Sequence, residues 1–180
     1  TAEKWFICGQ SLGAALTLRY ALDHPDRINA HIFTNSRSAL TDESLEESME
    51  LVARLLAEKG REIIDNFPVH PSKNKRLPAK IKSALIQDIK LIDVNGFSNT
   101  CLYTAAGSSV RDRIHKNRVP TLLLAGKYDK AFMPLLEYAK ANCSCLKWQV
   151  LNGGHAVNLE QPEQFNRFVM EFMKSHTSME

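Results

Sequence analysis

An α/β domain built on a parallel sheet is what this 180-residue sequence predicts. Short apolar runs alternate with amphipathic helical stretches, and strands that alternate with helices pair in parallel and cover their faces with those helices. One of the runs, Val119 to Gly126, is apolar without a break, as a strand buried on both faces requires. Glycine or asparagine-glycine punctuation follows three of the four runs, which marks sharp exits from strands.

The elements follow in order. Trp5-Phe6-Ile7-Cys8 is a short apolar run that ends in glycine, a buried-strand pattern. Ser11 to Asp23 predicts a helix with Leu12, Ala15, Leu16, Leu18 and Leu22 on its apolar face. His24-Pro25 stops it, because the residue before proline avoids helical angles. Ile28 to Phe33 is the second strand. From Thr41 to Lys116 the pattern changes to helices. Leu45, Met49, Val52, Leu55 and Leu56 recur at helical spacing, and Lys59-Gly60 supplies a basic last turn and a terminal glycine. Pro68 to Pro78 is a polar, basic loop. Ala79 to Asp93 predicts a helix with Ile81, Leu85, Ile86, Ile89 and Ile92 on one side. Asn95-Gly96 is expected to break it, and a shorter helix is expected to run to Ala106. After the strand at 119–126, Pro134 suits the first turn of a helix to Asn142. Leu146 to Leu151 is the fourth strand, and Pro162 opens a final helix with Phe165, Phe168, Val169 and Phe172 on one face.

Composition excludes several classes. Hydrophobic residues make up 44% and charged residues 24%, which fits a folded globular chain and not a disordered tail or rod. The net charge is only +3 and acids and bases alternate, so no nucleic-acid partner is expected. The cysteines at 8, 101, 143 and 145 form no C-x-x-C pair and no zinc set, so reduced thiols are expected. No apolar run reaches the ~18–20 residues of a membrane span. These features lead to the expectation of a cytoplasmic protein. The chain begins at Thr1 and not Met, which points to a processed product or a fragment.

The chemistry concentrates at strand ends. Gly9-Gln10-Ser11-Leu12-Gly13 matches G-x-S-x-G and lies between a predicted strand and a predicted helix. A serine on such a turn has strained backbone angles, and its glycine neighbours are expected to lack bulk so that the turn can close. The amide of Leu12, at the start of the helix, is a candidate oxyanion donor. A serine hydroxyl needs a base. His155 follows Gly153-Gly154 at a strand's carboxyl end, where parallel sheets place ligands. His24, His31, His70, His115 and His176 fit less well. An imidazole needs an orienting carboxylate, and Asp129 stands three residues past Gly126. Glu160 is the reserve acid, although capping of the helix opened by Pro162 is its plainer role. Arg37, just past the second strand, is a candidate for binding an acidic substrate. The basic stretch Lys73 to Arg76 is expected to be a solvated loop. Neither metal nor organic cofactor is implied.

The order Ser, Asp, His, each at the end of a successive strand, resembles the α/β-hydrolase superfamily. Ile7 to Ala15 is similar to its nucleophile elbow, Val119 to Asp129 to its acid-bearing strand and turn, and Gly154 to Phe165 to its histidine loop and last helix. The resemblance implies a three-layer α/β sandwich, here partial, with residues 1–40 and 117–180 as the core and 41–116 as an inserted helical lid. It implies Ser11, Asp129 and His155 as catalytic residues and a small-molecule acyl substrate. Members carry further strands and an H-G oxyanion segment before the elbow. This chain is therefore expected to be the C-terminal part of a longer hydrolase, with the elbow strand as an open edge, weakly active or inactive alone, and prone to self-association through that edge. Serine argues against the dehalogenase and epoxide-hydrolase relatives, which use aspartate. It leaves esterase, thioesterase, lactonase, C–C hydrolase, acyltransferase and lyase variants open, with ester hydrolysis favoured. The rival expectation is a non-catalytic binder of a small molecule or a protein.

Overall fold

The structure, a computed structural model, describes residues 4–41 and 45–177. The chain divides into two compact units, Thr1–Asp42 with Ser108–Glu180, and Glu43–Gly107.

The first unit is built on four strands: β1 (Trp5–Gln10), β2 (Ile28–Thr34), β3 (Thr121–Gly126) and β4 (Leu146–Leu151). They lie in the order β1-β2-β3-β4 and every pairing is parallel. Because all four strands run the same way, the segments after β1, β3 and β4 all leave from the same edge of the sheet. That edge is where the candidate chemistry stands.

Two apolar layers sandwich the sheet. Helices α1 (Leu12–Asp23) and α7 (Met133–Asn142) bring Ala14, Leu18, Leu136 and Ala139 against Phe33, Leu123 and Ala125. Helix α9 (Pro162–Lys174), which follows the short α8 (Val157–Glu160), brings Phe172 against Ala30, Ile32, Leu122 and Leu124 on the opposite side. Successive residues of β2 and β3 thus alternate between the two layers, the period of a pleated strand. All of β3 is buried, as its unbroken apolar run predicts. It starts at Thr121 and not Val119, because Pro120 has no N–H for the ladder; its carbonyl instead accepts the His31 amide at 2.9 Å. Among the described residues β1 pairs only with β2, and its Trp5 is largely exposed.

Residues 108–116 were expected among the inserted helices but pack with the sheet unit. Val110 and Ile114 belong to its core, and the Val110 amide bonds Ala39 O at 2.9 Å.

The second unit is helical: α3 (Glu46–Lys59), α4 (Arg61–Asp65), α5 (Ala79–Ile89), α6 (Val94–Asn99) and a π-helical turn at Thr100–Ala105. Leu56, Ile64 and Cys101 are its most buried apolar residues. Arg61 reaches across it to the carbonyls of Ile89, at 3.1 Å, and Ile92, which closes the end of α5. Asn95-Gly96, expected to break a helix, lies inside the first turn of α6. The helix breaks earlier, at 90–93, because Asp93 caps α6 by accepting the Gly96 amide at 2.7 Å. No helix of the described residues is long and apolar enough to cross a membrane.

Candidate active site

The sheet's carboxyl edge presents three side chains. β1 ends at Gln10, and Ser11 follows with φ 52° and ψ −122°, the only non-glycine residue with positive φ among the described residues. Such a conformation costs about 1–3 kcal/mol and persists only where its surroundings impose it. They do so here. The Ser11 carbonyl accepts the Ala14 amide at 3.0 Å and the Ser36 hydroxyl at 2.6 Å. Behind the turn, a Cβ on Gly9 would stand 2.3 Å from Thr17 Oγ1 and 2.5 Å from Gly13 O, so only glycine fits. Gly13 is different: nothing lies within 4 Å of an added Cβ. The expectation that both glycines close the turn holds for Gly9 alone.

The second side chain is Asp129, at the turn after β3. Its amide bonds Gly126 O at 3.0 Å, and its carbonyl accepts the Phe132 amide at 2.9 Å. The third is His155, in the loop after β4. The two turns are stitched together: the Lys127 amide bonds Leu151 O at 2.9 Å, and the Tyr128 amide bonds Gly153 O at 2.9 Å. A Cβ on Gly126 would come within 1.9 Å of Gly154 O, so the histidine loop can approach only over a glycine.

The three groups stand in one row. His155 Nδ1 is 2.8 Å from Asp129 Oδ2, and His155 Nε2 is 3.1 Å from Ser11 Oγ. A carboxylate only accepts, so Nδ1 carries the proton and donates it. Nε2 is then left with a lone pair for the Ser11 hydroxyl proton. The Asp129 side chain is 11% exposed and that of His155 is 29%, so the acid end is the drier one. The Leu12 amide heads α1, where the first N–H groups have no acceptor within the helix.

Four further residues hold this row, and sequence patterns alone did not single them out for it. Asn35, fully buried at the end of β2, accepts the Gly126 amide at 2.9 Å through Oδ1 and donates to Gly154 O at 2.8 Å through Nδ2. It clips the acid turn to the histidine loop. Ser36 holds the Ser11 carbonyl, and Gln10 Nε2 donates to His155 O at 3.3 Å. The partner of His155 Nδ1 is Asp129 and not Glu160, the reserve acid, whose Oε2 accepts the Gly154 amide at 2.5 Å and holds the same loop. The one available signal was the polar run Thr34-Asn35-Ser36 directly after an apolar strand. Arg37 is exposed at the start of α2 (Arg37–Leu40). No cluster of three or more His, Cys, Asp or Glu that could hold a metal occurs among the described residues.

Residues 1–142 match the family model described as "Serine aminopeptidase, S33". The chain is 28% identical over 181 residues to 3-oxoadipate enol-lactonase 1 of Acinetobacter baylyi, covering 96% of this chain and 65% of that protein. It is 24% identical over 189 residues to a putative 2-succinyl-6-hydroxy-2,4-cyclohexadiene-1-carboxylate synthase of Bacillus subtilis, covering 96% of this chain and 67% of that protein. It thus spans about two thirds of the length of these curated relatives. Among solved structures, MenH from S. aureus superposes with a TM-score of 0.83 at 22% identity, covering 97% of this chain and 70% of that one.

Proposed function

The chain belongs to the serine aminopeptidase S33 family of α/β-hydrolases, and from that premise we propose that it hydrolyses a carboxylic ester, open-chain or cyclic, through an acyl-enzyme on Ser11. The observation that carries this reading is the hydrogen-bonded row Ser11–His155–Asp129 at the carboxyl edge of a parallel sheet. An isolated serine hydroxyl is a weak nucleophile, and an adjacent base of this geometry is what activates it. Ser11 Oγ attacks the carbonyl carbon as His155 Nε2 takes its proton. Asp129 keeps the imidazole in the required tautomer and stabilises the cation that forms. The Leu12 amide donates to the oxyanion, which a preorganised backbone dipole stabilises without reorganisation. His155 then returns the proton to the leaving group, and water activated by the same nitrogen releases the acid.

Two features favour an ester over a purely binding role. Strain at Ser11 is useful when the hydroxyl must be presented, and a binder gains nothing from it. The enol-lactonase relative, by its name, opens a cyclic ester, which puts lactones beside open-chain esters as substrates. In this reading the helical unit serves as the substrate-selecting lid, and the substrate is a small acyl compound. The test is turnover of p-nitrophenyl esters of increasing chain length, with lactone and thioester controls, by the full-length form and by its Ser11→Ala variant. Hydrolysis of esters and lactones that disappears in the variant supports the reading. Turnover that survives in Ser11→Ala contradicts it.

A further inference from the structure

Two cysteines stand outside everything described above. Cys143 ends α7 and Cys145 leads into β4, with Ser144 between them. Their sulfurs are 3.6 Å apart. The pair lies at the amino-terminal edge of the sheet, opposite Ser11: the Cys145 carbonyl accepts the amide of Thr121, the first residue of β3, at 3.2 Å.

The surroundings of the two sulfurs differ in kind. Three acceptors compete for the one Cys145 S–H proton, Val119 O at 3.1 Å, Asn117 O at 3.4 Å and the Cys143 sulfur, and all favour a protonated thiol there. Cys143 Sγ faces a donor, the Asn117 amide nitrogen at 3.8 Å. That amide is itself fixed by Thr121 Oγ1 at 2.8 Å. Electrostatics agrees with the geometry: hydrogen bonds from Cys145 and Asn117 hold the Cys143 thiol below its ordinary range, while the Cys143 sulfur and burial push Cys145 up. A thiolate beside a thiol is the arrangement from which disulfides close. Cys145 is half-buried and Cys143 nearly enclosed, so only a small oxidant reaches the pair.

We propose that Cys143 and Cys145 form an oxidisable thiol pair, a modification site at which a small peroxide closes an intramolecular disulfide. The Cys143 thiolate attacks one peroxide oxygen. The O–O bond breaks, the leaving hydroxide becomes water with a proton from solvent, and Cys143 becomes a sulfenic acid. Cys145, giving up its proton, attacks that sulfur. The S–S bond forms, the S–O bond breaks, and the hydroxide leaves with the proton as a second water. Two thiols lose two electrons and two protons in all, and one hydrogen peroxide becomes two waters. A link across a single intervening residue is geometrically tight, and tight disulfides reduce readily. A small dithiol therefore reverses it.

Intact-mass spectrometry of the reduced full chain, before and after hydrogen peroxide at neutral pH, tests this independently of any hydrolase activity. The expected result is loss of the mass of two hydrogens and protection of two of the four cysteines from alkylation. Peptide mapping should place the link at Cys143–Cys145, and dithiothreitol should restore all four thiols. Cys145→Ser should abolish the link and leave a dimedone-reactive sulfenic acid on Cys143. Cys8→Ser and Cys101→Ser should close as the parent does. Peroxide that leaves the four thiols alkylatable, a link that maps to Cys8 or between chains, or closure that persists in Cys145→Ser overturns the proposal. Should Cys145→Ser not fold, the peptide map of the parent chain alone decides.

Discussion

In the sheet unit β3 is buried along its whole length, whereas in the helical unit α5 has no fully buried residue. The first unit is packed so closely that single atoms matter: a Cβ at Gly126 would meet a carbonyl oxygen at 1.9 Å. The apolar side of α5, with Leu85, Ile86 and Ile89, is only half-buried. Precision is therefore concentrated where loops from distant parts of the chain must meet to within a hydrogen bond. The helical unit keeps its elements with looser, amphipathic faces, and it should tolerate changes that the sheet unit does not.

That contrast is sharpest at the acid. Asp129→Asn keeps the shape of the row but lets the amide nitrogen face Nδ1, which favours the wrong tautomer. Steady-state kinetics on an activated ester should show a loss of about 10⁴-fold in kcat. An unchanged kcat would move the orienting role elsewhere. Next come the glycines. Gly9→Ala and Gly126→Ala should each destabilise by about 3 kcal/mol or more, because at both positions backbone atoms, joined at Gly9 by the Thr17 hydroxyl, block the new methyl. Gly13→Ala, in the same turn but with open space, should be neutral or stabilising by up to about 1 kcal/mol in urea titrations. Equal effects at Gly9 and Gly13 would contradict the packing described here.

Asn35→Ala removes both ends of the clip and leaves the Gly126 amide and the Gly154 carbonyl without it. A loss of about 2–4 kcal/mol is expected in denaturant unfolding, together with a fall in ester turnover. A fall in stability with kcat preserved would limit Asn35 to a structural role.

His31 offers a pH test within the sheet unit. It is fully buried between Thr17, at 3.0 Å, and the stacked ring of Phe33, and burial pushes its pKa down to about 3. It is neutral when folded, while an unfolded histidine takes up a proton below about pH 6.5. Its contribution to stability is therefore complete above about pH 6.5 and declines as the pH falls toward 3, by about 1.4 kcal/mol per pH unit. Stability measured from pH 7 to 4 should lose that slope in His31→Gln, whatever that variant's starting stability. The smallest loss of stability belongs to the helical unit: Ile86→Ala should cost about 1 kcal/mol or less. A larger loss would mean that α5 is packed as tightly as the sheet.

Much of this was legible in the sequence, for physical reasons that can be named. A strand buried on both faces must be apolar throughout, so 121–126 announced itself. Ser11, Asp129 and His155 each follow a glycine-punctuated strand end, and in a parallel sheet those ends share one edge. Asn35 was not legible, because its partners are backbone groups 91 and 119 residues away and backbone carries no sequence signature. Glu160 was legible as an acid near a helix start, but its bond to the Gly154 amide depends on how the loop folds back. Asn95-Gly96 carried a breaker signal that Asp93, a better capping residue, displaced by one turn.

The central claim is that the Ser11 hydroxyl is activated by His155. The most direct measurement is covalent labelling by a fluorophosphonate probe, read by peptide mass spectrometry on the parent chain, Ser11→Ala and His155→Ala. The account predicts one labelled peptide, containing Ser11, with labelling abolished in the first variant and strongly slowed in the second. Labelling at a different residue, or an undiminished rate without His155, would contradict it.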